Sequence, residues 1–217
     1  MYKYIKRFLD ILFSLIVVII FFIPTLIISI AIKIEDGGPV LFKQKRTGKK
    51  GKEFNLYKFR SMSIDNDVLN FKEEDKITKV GKFLRKTSLD EIPQVINIIK
   101  GDMSFVGPRP WIVKYYENFT EEQKRRVDVK PGLTGLAQAK GRNNLNIFEK
   151  INYDIEYVNN QSFFMDIKVI VLTIKAIITR EGAKSYKYGI KDDITALHVN
   201  LEKEQKSKEK NNSLVNA

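Results

Sequence analysis

The chain is 217 residues long, has no cysteine and a single histidine, and carries a formal net charge of +12 at pH 7. That length suffices for one domain with a hydrophobic core plus an anchor, whereas the missing thiols exclude a disulfide framework and thiolate chemistry. The charge admits three classes of polyanionic partner: nucleic acid, anionic lipid and phosphorylated small molecules.

The first predicted element is the uncharged run ILFSLIVVIIFFIPTLIISIAI, residues 11–32. As a helix, at about 1.5 Å per residue, it is just long enough to cross a hydrocarbon core of about 30 Å. Two features weigh against a plain crossing. Pro24 removes a backbone hydrogen bond and crowds the carbonyl of Ile20, which predicts a kink. Positive charge also stands on both flanks: Lys3, Lys6 and Arg7 before the run, and Lys33, Lys43, Lys45, Arg46, Lys49 and Lys50 after it. The positive-inside tendency holds both flanks on the cytoplasmic side. The expectation is therefore a re-entrant membrane helix kinked at Pro24, with a spanning helix as the alternative. A cleaved signal peptide fits less well, because the apolar run exceeds the usual core of about 7–15 residues.

Residues 40–45 and 53–60 alternate around the GKKG turn at 48–51 and read as an antiparallel hairpin. Lys58 and Arg60, two apart, share one face of its second strand; a solvated strand face is the alternative for Arg60. Residues 65–74 are polar and read as a helix or loop. Helices are expected at 79–86, at 88–100, after the TEEQ capping-box pattern of 120–123, and over the amphipathic stretch 147–160. KPGLTG, 130–135, is a Pro/Gly turn. Residues 163–178 are apolar but interrupted by Asp166, Lys168 and Lys175, which suits core packing with one edge in a membrane interface. From 201 the chain is rich in Lys, Glu and Asn and predicted to be disordered; the lone His198, just before it, reads as a surface residue and makes a histidine triad improbable. The fold class expected is α+β, mostly helical with a short antiparallel hairpin. Its parts are a membrane anchor over 1–36, a cytoplasmic domain over 37–198 and a disordered polar tail over 199–217.

The chemistry concentrates in residues 88–110, SLDEIPQVINIIKGDMSFVGPRP. Asp90 and Glu91 form an acid pair. Ser88 and Glu91 have capping-box spacing, and acids in a first turn suit the helix dipole, which is a purely structural account. Pro93 belongs in a first turn, so it sets the helix start near Asp90, where free N–H groups also attract phosphate. Neighbouring helix positions point about 100° apart. The two carboxylates therefore take different tasks, one attacking while the other holds a metal or a proton. Arg109 sits between Pro108 and Pro110, whose rings restrict the backbone around it and preorganise it for phosphate. A rigid turn with a solvated Arg is the alternative. Arg142, in GRNN, is a further cation beside a glycine.

Four stretches, YKFRSM (57–62), LRKTSLDEIPQ (84–94), KGDMSFVGPRP (100–110) and KPGLTGLAQ (130–138), resemble the bacterial sugar transferase family, small monotopic phosphoglycosyl transferases acting on polyprenol phosphate. The likeness runs in order from Lys3 to about Arg180. It implies transfer of sugar-1-phosphate from a UDP-sugar to undecaprenyl phosphate, with release of UMP, as the first membrane step of polysaccharide or glycoconjugate assembly. It implies Asp90 as the nucleophile that becomes an aspartyl-phosphosugar, and Glu91 as a ligand of the cofactor Mg²⁺. Lys58, Arg85, Arg109 and Arg142 are the implied phosphate-binding set. The implied location is the bacterial cytoplasmic membrane, with the catalytic domain facing the cytoplasm and the site at the inner leaflet. Nucleic acid is not among the implied partners, and a homo-oligomer is left open. Many relatives have Ser before the kink proline, where this chain has Ile23. The rival reading from another class is a membrane-tethered basic scaffold that binds anionic lipid or nucleic acid.

Overall fold

A computed structural model describes residues 2–63, 77–141, 144–179 and 190–215. The polar stretch at 65–74 and Arg142 lie outside the described residues. The chain divides into two compact units, the first made of Met1–Lys45 and Phe54–Phe105, the second of Arg46–Glu53 and Val106–Ala217.

The first unit opens with helix α1, Tyr2–Asp36, which contains Pro24 as part of one helical element. Most of its large apolar side chains are exposed; only Asp10, Ser14, Ile28 and Ile32 are buried. Strands β1 (Leu41–Thr47) and β2 (Glu53–Phe59) form the expected hairpin. Helix α2, Lys79–Thr87, starts where the Thr78 side chain accepts from Gly81 N. Helix α3, Gln94–Lys100, stops at Gly101, whose φ of 89° permits the left-handed turn and lets its N–H close on Asn97 and Ile98. Strand β3, Ser104–Val106, follows. Ile28 and Ile32 of α1 share a buried cluster with Phe59 and Leu84, so the apolar helix contributes to the core of this unit.

Both ends of α1 are tied to this unit by polar contacts. Near its start, Arg7 donates to the carbonyls of Ile98 and Ile99 at the end of α3, and buried Asp10 accepts from Ser104 Oγ at 2.9 Å and Phe105 N at 3.1 Å. At its end, Glu35 accepts from Lys79 N at 2.6 Å and Val80 N at 2.9 Å, while Asp36 pairs with Arg60 at 3.3 Å.

In the second unit, α4 (Val113–Glu117), α5 (Glu121–Lys124), β4 (Gly132–Thr134), α6 (Leu136–Lys140), α7 (Ile147–Asn159), α8 (Phe163–Ile178) and α9 (Ile190–Val215) follow in order. Thr120 and Gln123 form the full capping box foreseen for α5, and Asn146 with Glu149 builds another at α7. A core of Ile112, Tyr115, Phe119, Ile147, Ile151 and Leu197 joins α4, α7 and α9. Helix α8 buries Asp166, Val169 and Ala176 and leaves Phe164, Ile167, Ile174 and Ile178 exposed.

Where composition predicts disorder from 199, the backbone is helical to Val215. Leu197 docks the front of α9 in the core, and Glu204 with Lys208 pairs at 2.6 Å one turn apart on its exposed continuation. His198 is at the surface, as expected.

Candidate active site

The acid pair does not lie in the α3 helix itself. Ser88 adopts a left-handed conformation, φ 59°, and its side chain makes no cap hydrogen bond. Leu89–Glu91 then form one 3-10 turn, and α3 begins only at Gln94, behind Pro93. The helix expected over 88–100 is therefore broken, and the capping-box account of Ser88 and Glu91 is overturned. The cause is local: α2 ends on Ser88, whose N–H closes on Arg85 and Leu84, and the left-handed residue redirects the chain.

This turn faces β2. Lys58 Nζ lies 2.6 Å from Glu91 Oε1 and 3.5 Å from Asp90 Oδ2. Asp90 and Glu91 are mostly buried, with side chains 13% and 21% exposed. A cation thus sits against both carboxylates, whereas the solvated strand face was the alternative for Arg60. Arg60, beyond the end of the strand, turns instead to Asp36.

Asn97 ties α3 to β2. It is fully buried, accepts from Tyr57 N at 3.1 Å and donates to Asn55 O at 2.7 Å. Those bonds fall just before Lys58 in sequence and hold the strand against the helix that follows the acid turn. Arg85, near the end of α2, is exposed and donates from Nε to Ser61 Oγ at 2.9 Å. Of the residues expected to act together, Lys58, Asp90 and Glu91 are brought into direct contact.

Two carboxylates from one turn are the donor set for a hard divalent ion that keeps waters and takes its remaining ligands from substrate phosphate. The Lys58 ammonium between them marks a place suited to positive charge. Among the described residues, no group of three or more His, Cys, Asp or Glu side chains is arranged to hold a metal.

Arg109 belongs to the second unit. Its turn is backed by the KPGLTG stretch: Gly107 N donates to Thr134 O, and Gly132 N to Pro108 O, each at 2.9 Å. A Cβ on Gly132 would lie 2.1 Å from Gly107 N, so the two stretches approach as only glycine allows. Arg126 Nη2 donates to the Arg109 carbonyl at 2.7 Å. The same guanidinium pairs with Asp154 Oδ2 at 3.0 Å from Nε and 2.6 Å from Nη2, and it lies 4.0 Å over the Trp111 ring. Burial pushes the Asp154 carboxyl above its ordinary range, against the pull of Arg126.

Sequence reading passed over Asn97, Asp10, Arg126 and Asp154. Asn97 and Asp10 each carry a legible signal, a polar side chain within or at the edge of an apolar run. Arg126 and Asp154 carry none, because their meaning depends on a pairing across 28 positions.

The model of the bacterial sugar transferase family matches residues 1–180. The galactosyl transferase CpsE of Streptococcus agalactiae serotype III (strain NEM316) is 46% identical over 195 residues, covering 82% of this chain and 43% of the relative. EpsL of Bacillus subtilis (strain 168), named only as a sugar transferase, is 46% identical over 153 residues, 70% of this chain and 76% of EpsL. A UDP-glucose:undecaprenyl-phosphate glucose-1-phosphate transferase of Escherichia coli (strain K12) is 40% identical over 184 residues, 79% of this chain and 40% of that protein. The chain thus spans well under half the length of two of these three relatives.

Proposed function

The chain belongs to the bacterial sugar transferase family, and on that premise we propose that it moves sugar-1-phosphate from a UDP-sugar to undecaprenyl phosphate through a covalent intermediate on Asp90. The observation that carries the reading is the turn in which Asp90 and Glu91 share Lys58. The names of the relatives supply the donor and acceptor classes.

An Asp90 oxygen attacks the phosphorus bearing the sugar. The bond from that phosphorus to the bridging oxygen breaks, and UMP leaves with the bridging electron pair. An oxygen of the lipid phosphate then attacks the same phosphorus and releases the Asp90 carboxylate. Splitting the transfer this way replaces one meeting of two anions by two easier steps. Glu91, with Asp90 adjacent, would hold Mg²⁺, which when bound neutralises charge on the phosphates and the leaving UMP. Lys58, Arg85, Arg109 and Arg142 are the phosphate-binding set of this reading, with electrostatic stabilisation of the transferring group as their task.

The polar ties at both ends of α1 support a re-entrant, monotopic anchor. Asp10 and Glu35 are separated by a run that, at about 1.5 Å per residue, would put the ends of a crossing helix on opposite sides of a core of about 30 Å. Yet both ends bond to the same polar unit. A bend at Pro24 would let the helix dip and return. With the catalytic part on the cytoplasmic face, the soluble donor and the lipid acceptor meet at the inner leaflet.

The test is chemical. Protein given a UDP-sugar without lipid is digested and weighed; a sugar-phosphate adduct is expected on the peptide carrying Asp90. Asp90→Asn is expected to cut UMP release on the order of 10³-fold or more while the protein stays in the membrane. Full turnover with no adduct on that peptide would remove the covalent step.

A further inference from the structure

We propose that Arg126, clamped by Asp154, is a positioning residue that sets the backbone of the Gly107–Arg109 turn and thereby the phosphate-binding pose of Arg109. The inference rests on the reading of Arg109 as a phosphate ligand and adds the device that aims it.

Arg126 is 2% exposed, as is its partner Asp154. Burying such a pair carries a desolvation cost that its attraction offsets only with good geometry. This pair has that geometry, with two guanidinium nitrogens on one carboxylate oxygen. The guanidinium plane is also packed against Trp111, and Phe119 lies 5.7 Å away. Its orientation is thus set from two sides, and the Nη2 that bonds Asp154 also donates to the Arg109 carbonyl.

The turn needs such a restraint. Pro108 and Pro110 have no N–H, so neither can be held through a backbone donor. Gly107 and Gly132 secure its entry, and Arg46 Nη1 reaches Pro110 O at 3.3 Å. Arg109 O is the carbonyl between, and Arg126 takes it. Losing that donor loosens the Arg109 ψ, the soft dihedral that Pro110 narrows but does not lock, and the partly exposed Arg109 side chain shifts with it.

The experiment is a double-mutant cycle on the full chain in nanodiscs, with UDP as the probe and binding followed by calorimetry. Arg126→Lys keeps a charge for Asp154 but not the second donor. Asp154→Asn keeps the shape and loosens the clamp, which covers the case in which Arg126→Lys does not fold. Either variant is expected to weaken UDP binding about tenfold, a lost charge-assisted contact. The same substitution added to Arg109→Ala is expected to change UDP affinity less than twofold, because the effect runs through Arg109. A structural role alone would lower the melting temperature equally in both backgrounds and leave the affinity of folded protein unmoved. Unchanged affinity in folded Arg126→Lys or Asp154→Asn, or effects that multiply with Arg109→Ala, would overturn the proposal. If Arg109→Ala itself leaves UDP affinity unmoved, the reading of Arg109 falls, and the proposal with it.

Discussion

Lys58 faces two carboxylates at once, and its loss leaves Asp90 and Glu91 as like charges on one turn. Lys58→Met is expected to lower sugar-phosphate transfer about 10²-fold and, because the carboxylates it leaves behind are mostly buried, to cost about 1–3 kcal/mol of stability. UMP release and thermal unfolding in detergent would separate the two effects. Ser88 makes the opposite case, a motif residue whose side chain caps nothing. Ser88→Ala is expected to stay within about 0.5 kcal/mol of the parent. A loss near 1 kcal/mol, the usual effect of deleting an N-cap, would restore the capping-box account. Asp90, Glu91 and Lys58 were legible because each lies in a short motif with an unusual neighbour. The left-handed Ser88 was not, since serine rarely announces a positive φ.

At the scale of elements, the hairpin, α2, α5, α7 and α8 were readable from alternation, capping pairs and apolar spacing. The exception was the stretch 88–100, where Pro93 marked a helix start near Asp90 that the 3-10 turn preempts. The start of α2 depends on a residue far away. Glu35 accepts from the free N–H groups of Lys79 and Val80. Burial pushes the Glu35 carboxyl up, but those N–H groups outweigh it and hold it below the ordinary glutamate range. A depressed carboxyl adds stability above its unfolded value, about 4.3, and that share is lost as pH falls through the folded value. Glu35→Gln is therefore expected to melt below the parent from pH 7 to about 5, with the gap closing as the pH drops under about 4. Thermal melts across that range check it, and a gap that persists at the acid end would remove the carboxylate from this role.

For the whole molecule, the cysteine-free sequence makes topology directly measurable. Lys3→Cys and Lys52→Cys, both at exposed positions, are expected to react with an impermeant maleimide from the cytoplasmic side alone. Labelling of residue 3 from the opposite face would leave a spanning helix as the answer. Local pattern carried the reading as far as neighbouring residues decide the outcome. It stopped at pairings such as Arg7 with the α3 carbonyls and Arg126 with Asp154, which exist only after the chain has closed on itself.

Ile28 and Ile32 have a consequence for anyone wishing to work with this protein outside a bilayer. They are 8% and 2% exposed and seat against Phe59 and Leu84. A truncated chain beginning at Gly37 would lose half of that cluster, along with the carboxylates that seal α2 and Arg60. Such a trimmed protein would present raw apolar surface next to the acid turn and precipitate. Helix α1 is thus scaffolding for the unit that carries the acid turn, and under the proposed anchor reading a detergent micelle or lipid disc is the price of keeping the protein whole.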